Sequence, residues 1–421
     1  MTEVLILIFI INIIIAWKYP KSYPITLLLI TSWWYFWLII SSFSLTGLKI
    51  PSTETYLIYI LMLLSVTAGS FANSKLYKNK QINQINTLYL LKIPVKINQR
   101  INLLNYFLIF IATPIVFYFL IKSISILITS SDLEFFRGAV FGSAGTDSII
   151  FGPGWVELFF NAIVMVSIHI GLFVGAFVFT LNGEKKLLVI SSILMIASGI
   201  MMLGRFNMYL VLVVVLIALL LRKTKLKNIF IIFIIFMTPM LMIGATRGFD
   251  NIGDQVKIFI IDYHTLGFSL FDDELNSPES SLNYNDKFGF SSLGIIENSS
   301  FIISRKLGLT ERLGSVADVD LNTFRNLSGV ESVPKFYNAF GTIVYSMYYD
   351  GGLIFVIFIC FIFGYFLNKH TNLAFNRSLV KYGSLVFLYL YLGIFGIFQP
   401  LLMTFVWFQI IGIILLFIRV R

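Results

Sequence analysis

The sequence predicts an all-α fold: a polytopic integral membrane protein of about eleven transmembrane helices with one large outer loop. Three observations predict it. Of 421 residues, 58% are hydrophobic and only 12% charged, a balance outside that of soluble globular domains. Apolar runs long enough to cross a ~30 Å hydrocarbon core recur along the whole length. Lys and Arg concentrate in alternate connectors between those runs, the asymmetry that membrane insertion imposes.

The first run, near residues 4–17, has no basic segment before it and no small-residue cleavage site after it, so it reads as an uncleaved span. Further spans are expected near 25–41, 55–72, 103–121, 156–180, 187–203, 206–221, 228–244, 353–367, 382–398 and 401–418. Connectors 18–24, 73–100, 182–186, 222–227, 368–381 and 419–421 hold nineteen of the 31 Lys and Arg, but only one of the 21 acids, Glu184. One span more or fewer would move every later connector to the other side. The N-terminus is therefore expected outside and the C-terminus in the cytoplasm. The net charge of +10 is then a topogenic signal and needs no nucleic-acid partner.

The chain reads as one integral membrane domain over 1–421, with its material unevenly placed. The basic side offers short connectors and the "KLYKNKQINQ" run in 73–100, which reads as a solvated face near lipid headgroups. No Gly-rich phosphate loop of the Walker type occurs. The outer side carries a smaller loop over 122–154 and the large loop over 245–337. Long loops on a rigid scaffold tend to carry function. Within the large loop, "IGDQVKIFIIDYHTLGFSLF" has a helical pattern that puts Val256, Phe259, Ile260 and Tyr263 on one face. "SVADVDLNTFRNL" suggests a second short helix, with Ser315 and Asp318 available to cap it.

The stretch "FYNAFGTIVYSMYYDGG", Phe336 to Gly352, leads into the apolar run "LIFVIFICFIFGYFL". Phe336–Leu367 as one helix would be about 48 Å long at ~1.5 Å per residue, too long for a single straight crossing. The polar, aromatic half is expected at the outer surface, with Tyr337, Gly341, Tyr345, Tyr348 and Gly352 on one helical stripe. That stripe is either an interfacial aromatic belt or a wall for sugar rings. Asp350 then lies at the outer mouth, as a general base or as a cap on the helix that follows.

Outer arginines are the main binding candidates. Arg137 in "LEFFRGAVFG", Arg205 in the turn "LGRFNMY" and Arg247 in "GATRGFD" each sit beside a glycine at the expected outer surface. Guanidinium forks bind phosphate oxygens bidentately and keep their charge. The plain alternative is pairing with local acids such as Glu134 and Asp250, or with lipid headgroups. His264 with Asp262 in "IIDYHTLG" forms an acid/base candidate. His169, inside a span, is a functional candidate or a neutral histidine bonded within the helix bundle. Asp318 and Asp320 spell a DxD triplet, a weak metal signal. The one cysteine, Cys360, excludes an internal disulfide and a thiolate metal site. Three scattered histidines, His169, His264 and His370, give no His-rich site, so no metal or cofactor is expected.

Ten or more spans, the large outer loop in the C-terminal half, the Gly204-Arg205 turn opening a span, and the segment from Asn338 through "YYDGG" resemble the O-antigen polymerase family. These are the oligosaccharide repeat-unit polymerases of bacterial surface polysaccharide assembly. The resemblance covers essentially the whole chain and rests on features that are specific only in combination. It implies a metal-independent glycosyltransferase in the bacterial inner (cytoplasmic) membrane. Such an enzyme moves the growing glycan from undecaprenyl diphosphate to the non-reducing end of a fresh lipid-linked unit. It implies an undecaprenyl-diphosphate-linked oligosaccharide and membrane lipid as partners, with a chain-length regulator protein as a further candidate. By position, the family's arginines correspond to Arg137, Arg205 and Arg247, while Arg305, Arg312 and Arg325 offer the same chemistry. Asn338 and Tyr345 are expected to meet the glycan, and Asp350 or His264 to take the acceptor proton. The alternatives are an O-antigen ligase and a flippase or transporter of the same lipid-linked glycan. Spans nearly free of charge and the absence of repeat symmetry weigh against transport.

Overall fold

A computed structural model describes residues 1–76, 95–129, 148–152, 154–225, 227–234, 257–278, 291–293, 325–329, 335–337, 341–377 and 379–418, with isolated positions between them. The described part is dominated by helices. In chain order these are α1 Thr2–Lys18, α2 Ile25–Ser41, α3 Thr53–Leu76, α4 Val95–Phe107, α5 Thr113–Thr129, α6 Gly154–Phe159, α7 Val166–Asn182, α8 Lys186–Met201, α9 Phe206–Leu221, α10 Tyr263–Asn276, α11 Ile343–Arg377, α12 Val380–Phe395 and α13 Val406–Leu416. Short π-helical turns join α4 to α5 and α6 to α7.

Four stretches are long and apolar enough to cross a membrane: Thr53–Ser74, Gln99–Thr129, Gly154–Asn182 and Ile343–Phe375. The protein is an all-α, membrane-embedded one at this level. Other apolar helices are shorter, among them Lys186–Met201, Phe206–Leu221, Val380–Phe395 and Val406–Leu416. Sixteen residues of helix cover only about 24 Å. The eleven spans expected from sequence thus resolve, among the described residues, into four full-length helices and a set of shorter ones. Of the expected span 228–244, residues 227–234 are helical and most of the rest lies outside the described residues.

The chain divides into two compact units, one of Met1–Ile82, Val256–Leu373 and Tyr389–Trp407, the other of Asn83–Gln255, Ala374–Leu388 and Phe408–Arg421. In the second unit α7 is buried on nearly every side, from Val166 to Leu181, as its unbroken apolar sequence requires. Gly171 and Gly175 let α8 approach, because a Cβ at either would strike Ser191 or the Leu188 backbone. Gly183, in the left-handed region at φ +82°, ends α7. Arg222 donates to the Phe179 carbonyl at 2.6 Å, a cation on the carbonyl end of that helix.

The first unit is built around α2, α3, α10 and the first 31 residues of α11. α10 belongs to the large loop but is not a surface helix: its residues from His264 to Asp272 are all buried. Phe268 packs on Trp34 of α2 and on Tyr59 of α3, and Phe271 packs on Tyr59 as well. The one-sided amphipathic helix expected here is replaced by an inserted one that begins after a π turn, Lys257–Asp262. A two-residue antiparallel ladder, β1 Arg325–Asn326 with β2 Phe336–Tyr337, is the one sheet among the described residues. Tyr337 therefore lies in a strand, off the helical stripe expected to run from it.

α11 breaks at Gly351–Gly352. Gly352, at φ +60° and ψ −158°, occupies a region essentially closed to residues with a Cβ. The break is forced by what α11 must touch. At one end the Tyr59 and Thr342 hydroxyls are 2.9 Å apart; at the other, Gly364 lies directly against the Val66 carbonyl, where a Cβ would overlap it. Tyr59 to Val66 is about 10 Å of helix, whereas Thr342 to Gly364 would be about 33 Å if straight. The chain resolves this by running first toward the Thr53 end of α3, where Tyr348 meets Phe271, and then turning back. Gly352→Ala is expected to destabilise the fold by roughly 1–3 kcal/mol, read as a lowered thermal midpoint of the purified protein. An unchanged midpoint would show that the turn does not need glycine.

Candidate functional site

The sequence candidates fall into three groups: residues outside the described set, residues committed to structural contacts, and residues at positions suited to binding. Arg137, Arg247, Asn338, Arg305 and Arg312 lie outside the described residues, as do Asp318 and Asp320.

Asp350 is the last residue before the break in α11 and is only 3% exposed. Its two carboxylate oxygens accept the backbone N–H groups of Ser291 and Ser292, at 2.7 and 2.5 Å. These bonds go to the large loop, whereas one of the two roles expected of Asp350 was a cap on the second arm of α11. Asp350 fastens a turn of that loop, residues 291–293, to the apex of the break. Trp407 donates its indole N–H to the Ser292 carbonyl at 2.8 Å, so the turn is gripped from both sides. Each carboxylate oxygen keeps a further lone pair.

His264 stands at the start of α10, buried against Trp37, Trp33 and Phe398. Its ring is stacked on Trp37 at 4.2 Å and meets the other two edge-on. Nδ1 lies 2.7 Å from the Ile260 carbonyl, which makes it the protonated nitrogen of a neutral ring. Burial pushes its pKa down from 6.5 to about 4. Asp262, two residues earlier, does not complete the expected acid/base pair. Its Oδ2 accepts the Tyr337 phenol at 2.7 Å and lies 3.3 Å from Lys335 Nζ. Burial and that carboxylate together raise the Tyr337 pKa.

Arg325 is also committed. It lies 3.4 Å from Asp273 and pairs with Glu274, which is fully buried. Tyr345 is buried in the first arm of α11, so it packs where a wall for sugar rings was expected.

Sequence reasoning missed the acids of α10, three in succession from Asp272 to Glu274, whose weight becomes plain only with the burial of their helix. Asp272 accepts the Ser52 N–H at 2.7 Å and the Thr55 hydroxyl at 2.9 Å, placing a negative charge on the positive end of α3. Lys49 stands 3.8 Å from Asp272 and 3.7 Å from Asp273. Ser280 donates to Glu274 at 2.6 Å. These contacts tie α10 to the segment before α3 and to β1.

In the second unit, Arg205 is 7% exposed and immediately precedes α9. A tight turn holds it there: Leu203 adopts a positive φ of 46°, Gly204 N–H bonds the Gly199 carbonyl at 2.8 Å, and Asn207 donates to Ser198 Oγ at 2.9 Å. Arg205 thus stands at the N-cap of α9, a mainly apolar helix, and the dipole of such a helix end favours an anion. His169 in α7 bonds the carbonyl of its own helix at Met165, 2.8 Å away. Among the described residues no cluster of three or more His, Cys, Asp or Glu is arranged to hold a metal ion.

The chain matches no protein-family model, no curated protein and no solved structure.

Two outcomes test these assignments. Asp350→Asn leaves one acceptor for two backbone donors and turns an amide N–H toward the other. It is therefore expected to free the turn nearly as fully as Asp350→Ala, seen as faster limited proteolysis within residues 283–300. Arg325→Ala leaves Glu274 buried without its cation, at a cost of the order of 3 kcal/mol, measured as loss of stability in the absence of any substrate.

Proposed function

We propose that this protein polymerises lipid-linked oligosaccharide repeat units at the outer face of a bacterial inner membrane. In this reaction the bond between the sugar's anomeric carbon and the lipid diphosphate breaks. A glycosidic bond to the acceptor hydroxyl forms, the diphosphate leaves on its lipid, and the hydroxyl proton passes to a base. The observation that carries the proposal is Arg205: a permanently charged side chain, buried at the N-terminal end of an apolar helix. A charge in such a place is costly and is kept where it acts. The developing charge of a departing diphosphate is what a fixed cation with helix N–H groups stabilises. The segregation of Lys and Arg between connectors supports eleven spans, an outer N-terminus and a cytoplasmic C-terminus.

Arg137 and Arg247 are assigned the same diphosphate role, and Arg312 and Asn338 contacts to substrate. Asp350 takes the acceptor proton through the lone pairs its loop contacts leave. His264 is a weaker base, since its ring is enclosed by aromatic side chains and its basicity is depressed. Arg325 is assigned to holding the loop together, because two acids already meet its charge.

Deletion in the native strain, followed by surface polysaccharide on a gel, tests the activity. A core capped with one repeat unit is the expected product. Complete loss of capped core would point to the ligase or the flippase instead. Arg205→Ala and Arg247→Ala, at normal membrane abundance, are expected to abolish long chains. Wild-type chain length in both would remove the diphosphate role.

A further inference from the structure

The broken helix encloses something. Inside the angle between the two arms of α11, against α2, α3 and α12, lies a cavity of about 70 Å3. Met347 lines it from the first arm and Cys360 and Phe363 from the second, with Trp34, Val66 and Gly393 closing the far side. All of these belong to one compact unit.

The volume is room for roughly five waters, but waters need two to four polar partners each. The walls are aliphatic, aromatic and sulfur-bearing. The indole N–H of Trp34 is already spent on the Gly393 carbonyl, 2.5 Å away. Apolar cavities of this kind stay dry and take up hydrocarbons. The second arm that forms the wall is itself bathed in hydrocarbon: Ile354 is 82% exposed, and Phe358 and Phe361 are exposed beside it. The hydrocarbon available there in quantity is the acyl chain of the surrounding phospholipid. No charged or hydrogen-bonding group is present to receive a headgroup, so only a chain end fits.

The geometry points to a lipid site: the cavity holds the end of a phospholipid acyl chain, which fills the angle of α11 and keeps its two arms apart. This is independent of the glycan chemistry proposed above and stands or falls without it.

The full-length protein, reconstituted in phosphatidylcholine vesicles with plain or brominated acyl chains, tests it. Bromine quenches tryptophan at short range, and the share of Trp34 is obtained by difference from Trp34→Phe. Although Trp34 is only 2% exposed, its emission is expected to fall at least twofold in brominated vesicles. Val66→Phe, which fills the cavity, is expected to restore it. Met347→Phe fills the same space from the opposite arm and serves where Val66→Phe does not fold. If Trp34→Phe fails to fold, the wild type is compared directly with the filled variants. Equal emission in both vesicles would overturn the proposal. So would quenching that persists in the filled variants, because the bromines would then lie outside the cavity. Recovery of Trp34 emission on adding a few mole per cent of a polyprenyl phosphate would overturn the assignment to phospholipid.

Discussion

Much of the first unit follows from a mismatch of lengths. α11 and the residue before it must meet α3 at Tyr59 and again at Val66, about 10 Å apart along that helix, yet the two contacting residues, Thr342 and Gly364, are about 33 Å apart along a straight helix. A straight helix cannot satisfy both. Gly352 supplies a conformation open to glycine alone, and the helix becomes two arms with Asp350 at the apex. The carboxylate there finds two backbone N–H groups of the large loop, so the same break that fits α11 to α3 also fixes a turn of that loop.

The acids of α10 do comparable work where the helix emerges. A helix carrying Asp272 and Glu274 would be costly to bury without partners. It is accepted because Asp272 is bonded by Ser52 and Thr55 and Glu274 by Ser280 and Arg325. Below them, Phe268 and Phe271 join the aromatic side chains of α2 and α3. Charge at one end and rings along the length let a segment of the large loop lie within the helices. In that setting His264 packs among Trp37, Trp33 and Phe398, and burial there lowers its basicity.

The helical, membrane-embedded character was legible because hydrophobicity and run length are properties of single segments. The oddness of Phe336–Leu367 was legible too, since its length exceeded one crossing, but Gly352 was read as part of a helical stripe and the break beside it was not foreseen. What Asp350 binds was not, because its partners lie 58 and 59 residues away and no local pattern encodes them. The same holds for Arg325: it was read as a free cation because its acids, Asp273 and Glu274, sit far off in sequence. α10 was read from its period as part of a helix with one apolar face, while its remaining sides are covered by helices contributed from distant parts of the chain. The place of Arg205 in a turn that opens an apolar helix was legible from its neighbours, a glycine before it and an apolar run after it, whereas its burial is set by packing that no local pattern encodes.

The central claim is that α11 doubles back so that Thr342 and Gly364 both reach α3. It is tested most directly by cysteine cross-linking in membranes on a Cys360→Ala background. One protein carries Tyr59→Cys with Thr342→Cys; a second carries Val66→Cys with Phe361→Cys, on the neighbouring turn of the second arm. Efficient cross-linking of both pairs by a short bifunctional thiol reagent is predicted, because the Tyr59 hydroxyl reaches Thr342 from further than a direct disulfide spans. Cross-linking of one pair alone would mean that α11 runs straight, and would contradict the account.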